Sequence, residues 1–191
     1  TGEPAMLARA RAIGELFATS FFQPATAALP EFFGRGWTRL TGARGRLVEP
    51  GHHFEWAWLL HRLEATSGQK LRQVAGPLYH HACRFGYDRD GLVVDCLTED
   101  GAVVTASRRT WPHTEAIKAH AAAHEQGDPA AEARAAAVWD AMFAHFLSGA
   151  VSGGWRDHLD PQGRPLHAYM PATTLYHVFC AIAEANRVWP S

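Results

Sequence analysis

Glu49-Pro50-Gly51-His52-His53-Phe54-Glu55-Trp56-Ala57-Trp58-Leu59-Leu60 is the stretch whose reading decides the fold. Pro50 and Gly51 interrupt what precedes them, and proline suits the first turn of a helix, where its missing N–H goes unused. The residues that follow are apolar almost all round, the pattern of a helix buried on most sides. Its first turns nevertheless carry His52, His53 and Glu55. Ionisable groups in such company are paired or face a cavity. The stretch therefore reads as part of a reactive site on a buried helix.

Working outward, the spacing predicts helices over about 5–21, 51–66, 69–86, 111–126, 129–148 and 171–186. The first puts Met6, Ala10, Ile13, Phe17 and Phe21 on one stripe; Pro77 predicts a kink or an irregular start in the third. Three excursions between helices read as hairpins. One covers 37–48 around Gly42-Ala43-Arg44-Gly45. The next covers 91–105, with Leu92-Val93-Val94 and Val103-Val104 either side of Glu99-Asp100-Gly101. The last starts at Gly153-Gly154-Trp155 and turns at Asp160-Pro161-Gln162-Gly163. Pro50, Pro112 and Pro171 each follow an excursion and open a helix, 62 and 59 residues apart. Helical hairpins repeated with excursions on one face are the signature of an α-solenoid or a closed α/α toroid. The expectation is an all-α chain of about six helices, a single domain over 1–191, with half of a toroid's repeats. Its opening at Thr1, inside a helical pattern, agrees with a missing N-terminal half.

Composition narrows the function. With 47% hydrophobic and 19% charged residues the chain is globular. A net charge of -1 without a basic run argues against nucleic acid and against an anionic membrane surface. No apolar run approaches a membrane span. Cys83, Cys96 and Cys180 are odd in number and far apart, which predicts reduced thiols and a cytoplasmic protein. His52-His53, His80-His81 and His120-Ala-Ala-Ala-His124 tempt a metal reading. The last pair lacks the glutamate of the zinc-protease motif and lies in an alanine-rich helix expected on the outside. No metal and no cofactor are expected.

His52 and Glu55 share a helix face, and a carboxylate one turn away can orient an imidazole for acid–base work. His53 points elsewhere and reads as structural. Glu115 and Lys118, taken alone, read as a surface ion pair. The sharper reading stacks Trp111 on a sugar ring and puts Glu115 on its hydroxyls, with Trp58 a further sugar contact. If the repeats stack, His177 lies at the rim near His52, where converging helix N-termini keep an imidazole neutral and basic.

Four motifs occur in order: residues 49–60 as quoted, Trp-Pro-His-Thr-Glu-Ala-Ile-Lys at 111–118, Gly-Gly-Trp-Arg-Asp-His-Leu-Asp at 153–160 and Met-Pro-Ala-Thr-Thr-Leu-Tyr-His at 170–177. Together the set resembles the N-acylglucosamine 2-epimerase superfamily, nearest its D-mannose isomerase branch. The resemblance implies the C-terminal half of an (α/α)6 barrel and metal-independent chemistry on an unphosphorylated monosaccharide. It makes His52, His177 and Glu55 the catalytic residues. His52 would assist ring opening or serve as second acid/base, and His177 would move a proton between C2 and C1 through a cis-enediol, turning mannose into fructose. Cys180 stands where the epimerase branches are expected to carry an arginine, which favours isomerisation. An arginine and a further histidine that the family draws from its N-terminal half have no counterpart here. The alternatives are a 2-epimerase of the N-acylglucosamine or cellobiose type and a non-catalytic carbohydrate-binding fragment. A glycosidase or lyase would need paired carboxylates, for which only Glu55 and Glu115 qualify. A homodimer is compatible with the sequence.

Overall fold

Pro50 takes the first position of α2 (Pro50–Ser67), and Gly68 ends that helix at a left-handed φ of 71°. This computed structural model, which describes residues 3–149 and 152–190, has five further α-helices among those residues. They are α1 (Pro4–Leu16), α3 (Arg72–Phe85), α4 (Thr110–Glu125), α5 (Ala131–Met142) and α6 (Ala172–Val188). Short π-helical turns, Phe17–Phe21 and Phe143–Leu147, extend α1 and α5. α3 runs on through Pro77.

α2, α4 and α6 form an inner row with α4 in the middle, and α1, α3 and α5 back them from outside. The row curves enough for the Trp58 indole N–H on α2 to donate to Glu184 on α6 at 2.9 Å. The shape is an open half of an α/α toroid. One core cluster joins Phe54, Tyr79, Ile117, Val138, Met142 and Ala181 across five of the helices. A second joins Phe17, Leu60, Leu71 and Leu78 between α1, α2 and α3. Each large apolar side chain fully buried there contributes about 1.5–3 kcal/mol.

The alanine-rich helix is α4, and it is central rather than outer. Residues 110 and 112–123 are buried, because Ala119, Ala121, Ala122 and Ala123 let neighbours approach from every side. The stripe on α1 also differs from expectation. Phe17 is fully buried, but Met6 and Ile13 face outward, since α1 ends the row and has α2 on one side only. Leu175, Phe179 and Ile182 are exposed on α6 at the opposite edge.

The excursions gather at the end of the barrel where the inner helices begin, and they pair with each other. β2 (Cys96–Thr98) and β3 (Val103–Thr105) make the expected hairpin, closed by Gly101 at φ 91°. β1 (Leu47–Val48) pairs with β2 in the register Leu47↔Thr98, and β4 (Arg108–Arg109) pairs with β5 (His158–Leu159) as Arg109↔His158. Residues 37–48 are therefore not a hairpin: they form 3-10 turns, and their strand joins the next excursion. Two-residue strands cannot satisfy their backbone groups alone, so they borrow a neighbour. Leu92-Val93-Val94 is buried extended chain with a single bridge, Tyr87↔Val93, rather than a strand. The turn at 160–163 is present, with the Gly163 N–H donating to Asp160 O at 3.0 Å.

The repeat is real, but proline does not mark its register. The N-caps of the inner helices are Glu49, Arg109 and Pro171, 60 and 62 residues apart. Measured from these caps, Glu55, Glu115 and His177 are all the sixth residue onward.

Candidate functional site

That shared register brings Glu55, Glu115 and His177 together: one donor atom of each lies within 4.8 Å of the others. Position six falls on the inner face of each helix, about one and a half turns below the rim. His177 Nδ1 lies 2.7 Å from Glu115 Oε1. Glu115 Oε2 lies 2.6 Å from the Lys118 ammonium, off the hydrogen-bond line, so the two are held as an ion pair. Glu115 and Lys118 are fully buried. They are not the surface pair that i, i+3 spacing suggests. Nor does Glu115 have a free oxygen for sugar hydroxyls. It stands behind His177.

His52 is held differently from expectation. Its Nδ1 sits 2.9 Å from Glu31 Oε2 and 3.8 Å from Glu49 Oε2, while Glu55 turns toward Glu115 and His177. Burial pulls the His52 imidazolium down, but the Glu31 hydrogen bond and the charges of Glu31, Glu49 and Glu55 outweigh it, and its pKa is raised. Burial foremost, then the charge of Glu115, pushes the Glu55 carboxyl up, against the pull of His52, Lys118 and His177. Trp111 lies between the two imidazoles, its ring centroid 5.0 Å from that of His52 and 5.6 Å from that of His177. It can approach because Gly51 has no side chain: a Cβ there would lie 2.6 Å from the Trp111 ring. Trp58 is committed below, its N–H to Glu184 and a ring face to Lys118 Nζ at 4.1 Å.

His53, His81, His113 and His120 are buried within the fold. His53 and His113 are each the fourth residue after an N-cap, and each accepts a backbone N–H from the preceding excursion: Leu29 at 2.8 Å and Val93 at 2.9 Å. Burial first lowers them, His53 to about 3 and His113 to about 4, so both brace the rim as neutral rings. His120 lies between Tyr79 and Tyr87 and burial lowers it to about 3. His81 faces the Glu99 carbonyl, while His80 sits on Gly76 O, so neither adjacent pair converges on a common point.

Two clusters have the donor types of a divalent metal site, Glu31–Glu49–His52 and Glu55–Glu115–His177. In each, one carboxylate already has a cation: Arg109 for Glu49 at 2.8 Å and Lys118 for Glu115. A metal would have to compete with a resident charge in both. Glu31, Arg109 and Lys118 escaped the sequence reading as site residues. Glu31 arrives from a loop with no periodicity, and the pairing of its N–H with Leu47 O, with the Glu49 N–H on its carboxylate, aims it at His52.

No helix among the described residues is long and apolar enough to cross a membrane. Residues 1–181 match the family described as N-acylglucosamine 2-epimerase (GlcNAc 2-epimerase). A Rhizobium meliloti protein named mannose-6-phosphate isomerase is 38% identical over 178 residues, 90% of this chain and 46% of that protein. A Pseudomonas cannabina protein named D-mannose isomerase is 32% identical over 79% of this chain and 41% of its own length. A D-mannose isomerase crystal structure superposes with a TM-score of 0.83 at 20% identity, covering 98% of this chain and 51% of its own. Cellobiose 2-epimerase from Bacillus thermoamylovorans gives 0.80 at 17% identity, over 96% and 48%. The chain spans about half the length of the curated relatives it matches, and the likeness to the solved structures makes its fold half of an (α/α)6 barrel. It belongs to the N-acylglucosamine 2-epimerase family, a family of sugar isomerases and epimerases.

Proposed function

We propose that this chain supplies one side of the active site of an aldose–ketose isomerase that interconverts D-mannose and D-fructose. The observation that carries the reading is the pair of imidazoles flanking Trp111, each with a carboxylate on Nδ1. A carboxylate accepts only, so a neutral ring beside it keeps its proton on Nδ1 and presents Nε2 to the substrate. The raised His52 suits an acid, and His177 suits a base.

In ring opening, His52 gives a proton to the ring oxygen and takes up the one the C1 hydroxyl loses, breaking the C1–O5 bond and leaving an aldehyde. His177 Nε2 then takes the C2 proton. The electron pair forms the C1–C2 double bond of a cis-enediol as His52 protonates O1. Return of the proton from His177 to C1, with loss of the O2 proton to His52, gives the ketose. The Trp111 ring between the two histidines offers a stacking face for the sugar.

The charges favour an unphosphorylated substrate. Glu31, Glu49 and Glu55 line this side with Glu115 buried behind His177, while Arg109 is held by Asp95 and Glu49 and Lys118 by Glu115. A phosphate would meet carboxylates there, which weighs against carrying over the 6-phosphate in one relative's name.

The test incubates the chain with D-mannose in D2O, beside His177→Asn, and follows D-fructose and its C1 deuterium. Fructose carrying solvent deuterium from the native chain, and none from the variant, is the expected result. Glucose from mannose, or N-acetylmannosamine from N-acetylglucosamine, would replace isomerisation with 2-epimerisation. No turnover of any of these sugars by the folded chain would sink the catalytic reading.

A further inference from the structure

Lys118 is a fully buried ammonium in a helix interior, and burying a charge is costly unless a partner compensates. Its surroundings show what compensates it. Glu115 Oε2 is 2.6 Å away, the Trp58 ring 4.1 Å and the Tyr176 ring 6.0 Å. Glu55 of α2 lies in the same cluster, and Cys180 follows one turn after Tyr176 on α6. Arg187, the next cation along, is spent on Glu184 and Glu125 beyond Trp58. The buried charge of Glu115 is therefore balanced by Lys118.

We infer that Lys118 is a positioning residue: by holding Glu115 as an anion it keeps the His177 proton on Nδ1 and leaves Nε2 bare. The argument is one of charge balance. With Lys118 in place, an anionic Glu115 and a neutral His177 sum to zero, and the acceptor-only carboxylate must receive the Nδ1 proton. Without it, the same groups require one more proton to stay neutral; Glu55 is present in both cases and leaves that difference unchanged. If His177 takes the proton, both nitrogens carry one. If Glu115 takes it, Oε2 has lost its partner. The carboxyl then donates to Nδ1, and the ring proton moves to Nε2. Either way Nε2 is blocked.

This rests on the proposed function only in assigning Nε2 the role of base; the tautomer itself is independent of any substrate. The experiment uses the chain with 15N-labelled histidine. Long-range proton–nitrogen correlation near neutral pH is recorded for the native protein, Lys118→Met, Lys118→Gln and Lys118→Arg, with His177→Asn assigning the resonance. The native protein and Lys118→Arg are expected to show a bare Nε2, and the two neutral variants a protonated one. With mannose as substrate, Lys118→Met should lower kcat by about 10²–10⁴-fold near neutral pH while KM stays within about twofold. Lys118→Arg should restore most of the lost rate. A bare Nε2 in either neutral variant that still folds overturns the inference. If both fail to fold, the native spectrum decides, and a protonated Nε2 there overturns it. A chain that turns over no sugar but shows the tautomer change loses the proposed function and keeps this role for Lys118.

Discussion

Replacing Glu31 with glutamine removes the charge that holds His52 while keeping an oxygen for the Glu49 N–H, which now donates to Glu31 Oε1 at 3.1 Å. The carboxylate lies 2.9 Å from His52 Nδ1, and the imidazole is about one-third exposed, at 36%. A hydrogen bond to a charged group is worth about 1.5–3 kcal/mol when well shielded. Solvent at this exposure screens it to about 1 kcal/mol, and a full pKa unit corresponds to about 1.4 kcal/mol. Glu49 stays 3.8 Å away, so the pKa should fall toward the ordinary imidazole value rather than collapse. The sign for stability follows from linkage. Folded His52 holds its proton more tightly than an unfolded histidine, whose pKa is about 6.5. The stabilisation is therefore fully present below about pH 6.5 and is lost as pH rises through the higher folded value. Glu31→Gln should cost about 1 kcal/mol in urea melts at about pH 5 and well under half of that at about pH 9, with a parallel drop in the His52 pKa by NMR. An equal loss at both pH values, or an unmoved His52 titration, would refute the reasoning.

Gly51→Ala would set a Cβ 2.6 Å from the Trp111 ring and 2.9 Å from Pro112 Cβ. Overpacking of this kind costs about 1–3 kcal/mol, or several degrees of Tm, and any turnover of mannose should fall with it as Trp111 is displaced; a neutral thermal melt would contradict the packing described. Glu125→Gln tests the opposite pH direction. The Arg187 hydrogen bond first, with help from His61 and against burial, draws Glu125 down to about 2. That stability is present above the ordinary carboxylate pKa of about 4.3 and disappears as pH falls toward 2. With both partners partly exposed, the variant should be about 1 kcal/mol weaker at pH 7 and indistinguishable near pH 2, read from urea midpoints.

The helices were legible because their signals are local. Proline at the entry of α2, glycine at its exit and apolar periodicity between them need no tertiary information. The pairings between excursions are illegible for the opposite reason: β1 pairs with β2 across α2 and α3, and β4 with β5 across α4 and α5. Two-residue strands carry no pattern that specifies a partner so far away. The alanines around His120 looked like an exposed helix because composition does not distinguish small residues facing water from small residues admitting neighbours. His52, Glu55, Trp111, Glu115 and His177 were all visible as candidates, but their pairings were not. Helix spacing pairs Glu55 with His52, whereas in the fold His52 faces Glu31 from a loop and Glu55 faces the neighbouring helices.

The repeat explains both the success and the error. Counting from proline displaces α2, α4 and α6 relative to one another, because proline is the first helical residue in α2, the third in α4 and the N-cap in α6. Counting from the N-cap, the fourth position holds His53 and His113, which fasten the excursions to the rim, and the sixth holds Glu55, Glu115 and His177. Three parallel helices with equivalent starts must bring the same position to the same height, so the sixth position is where side chains from all three meet. Two carboxylates and an imidazole meeting in a partly desolvated cleft require a counter-charge. Lys118, one turn further along the central helix, is the residue from which a single side chain can reach it.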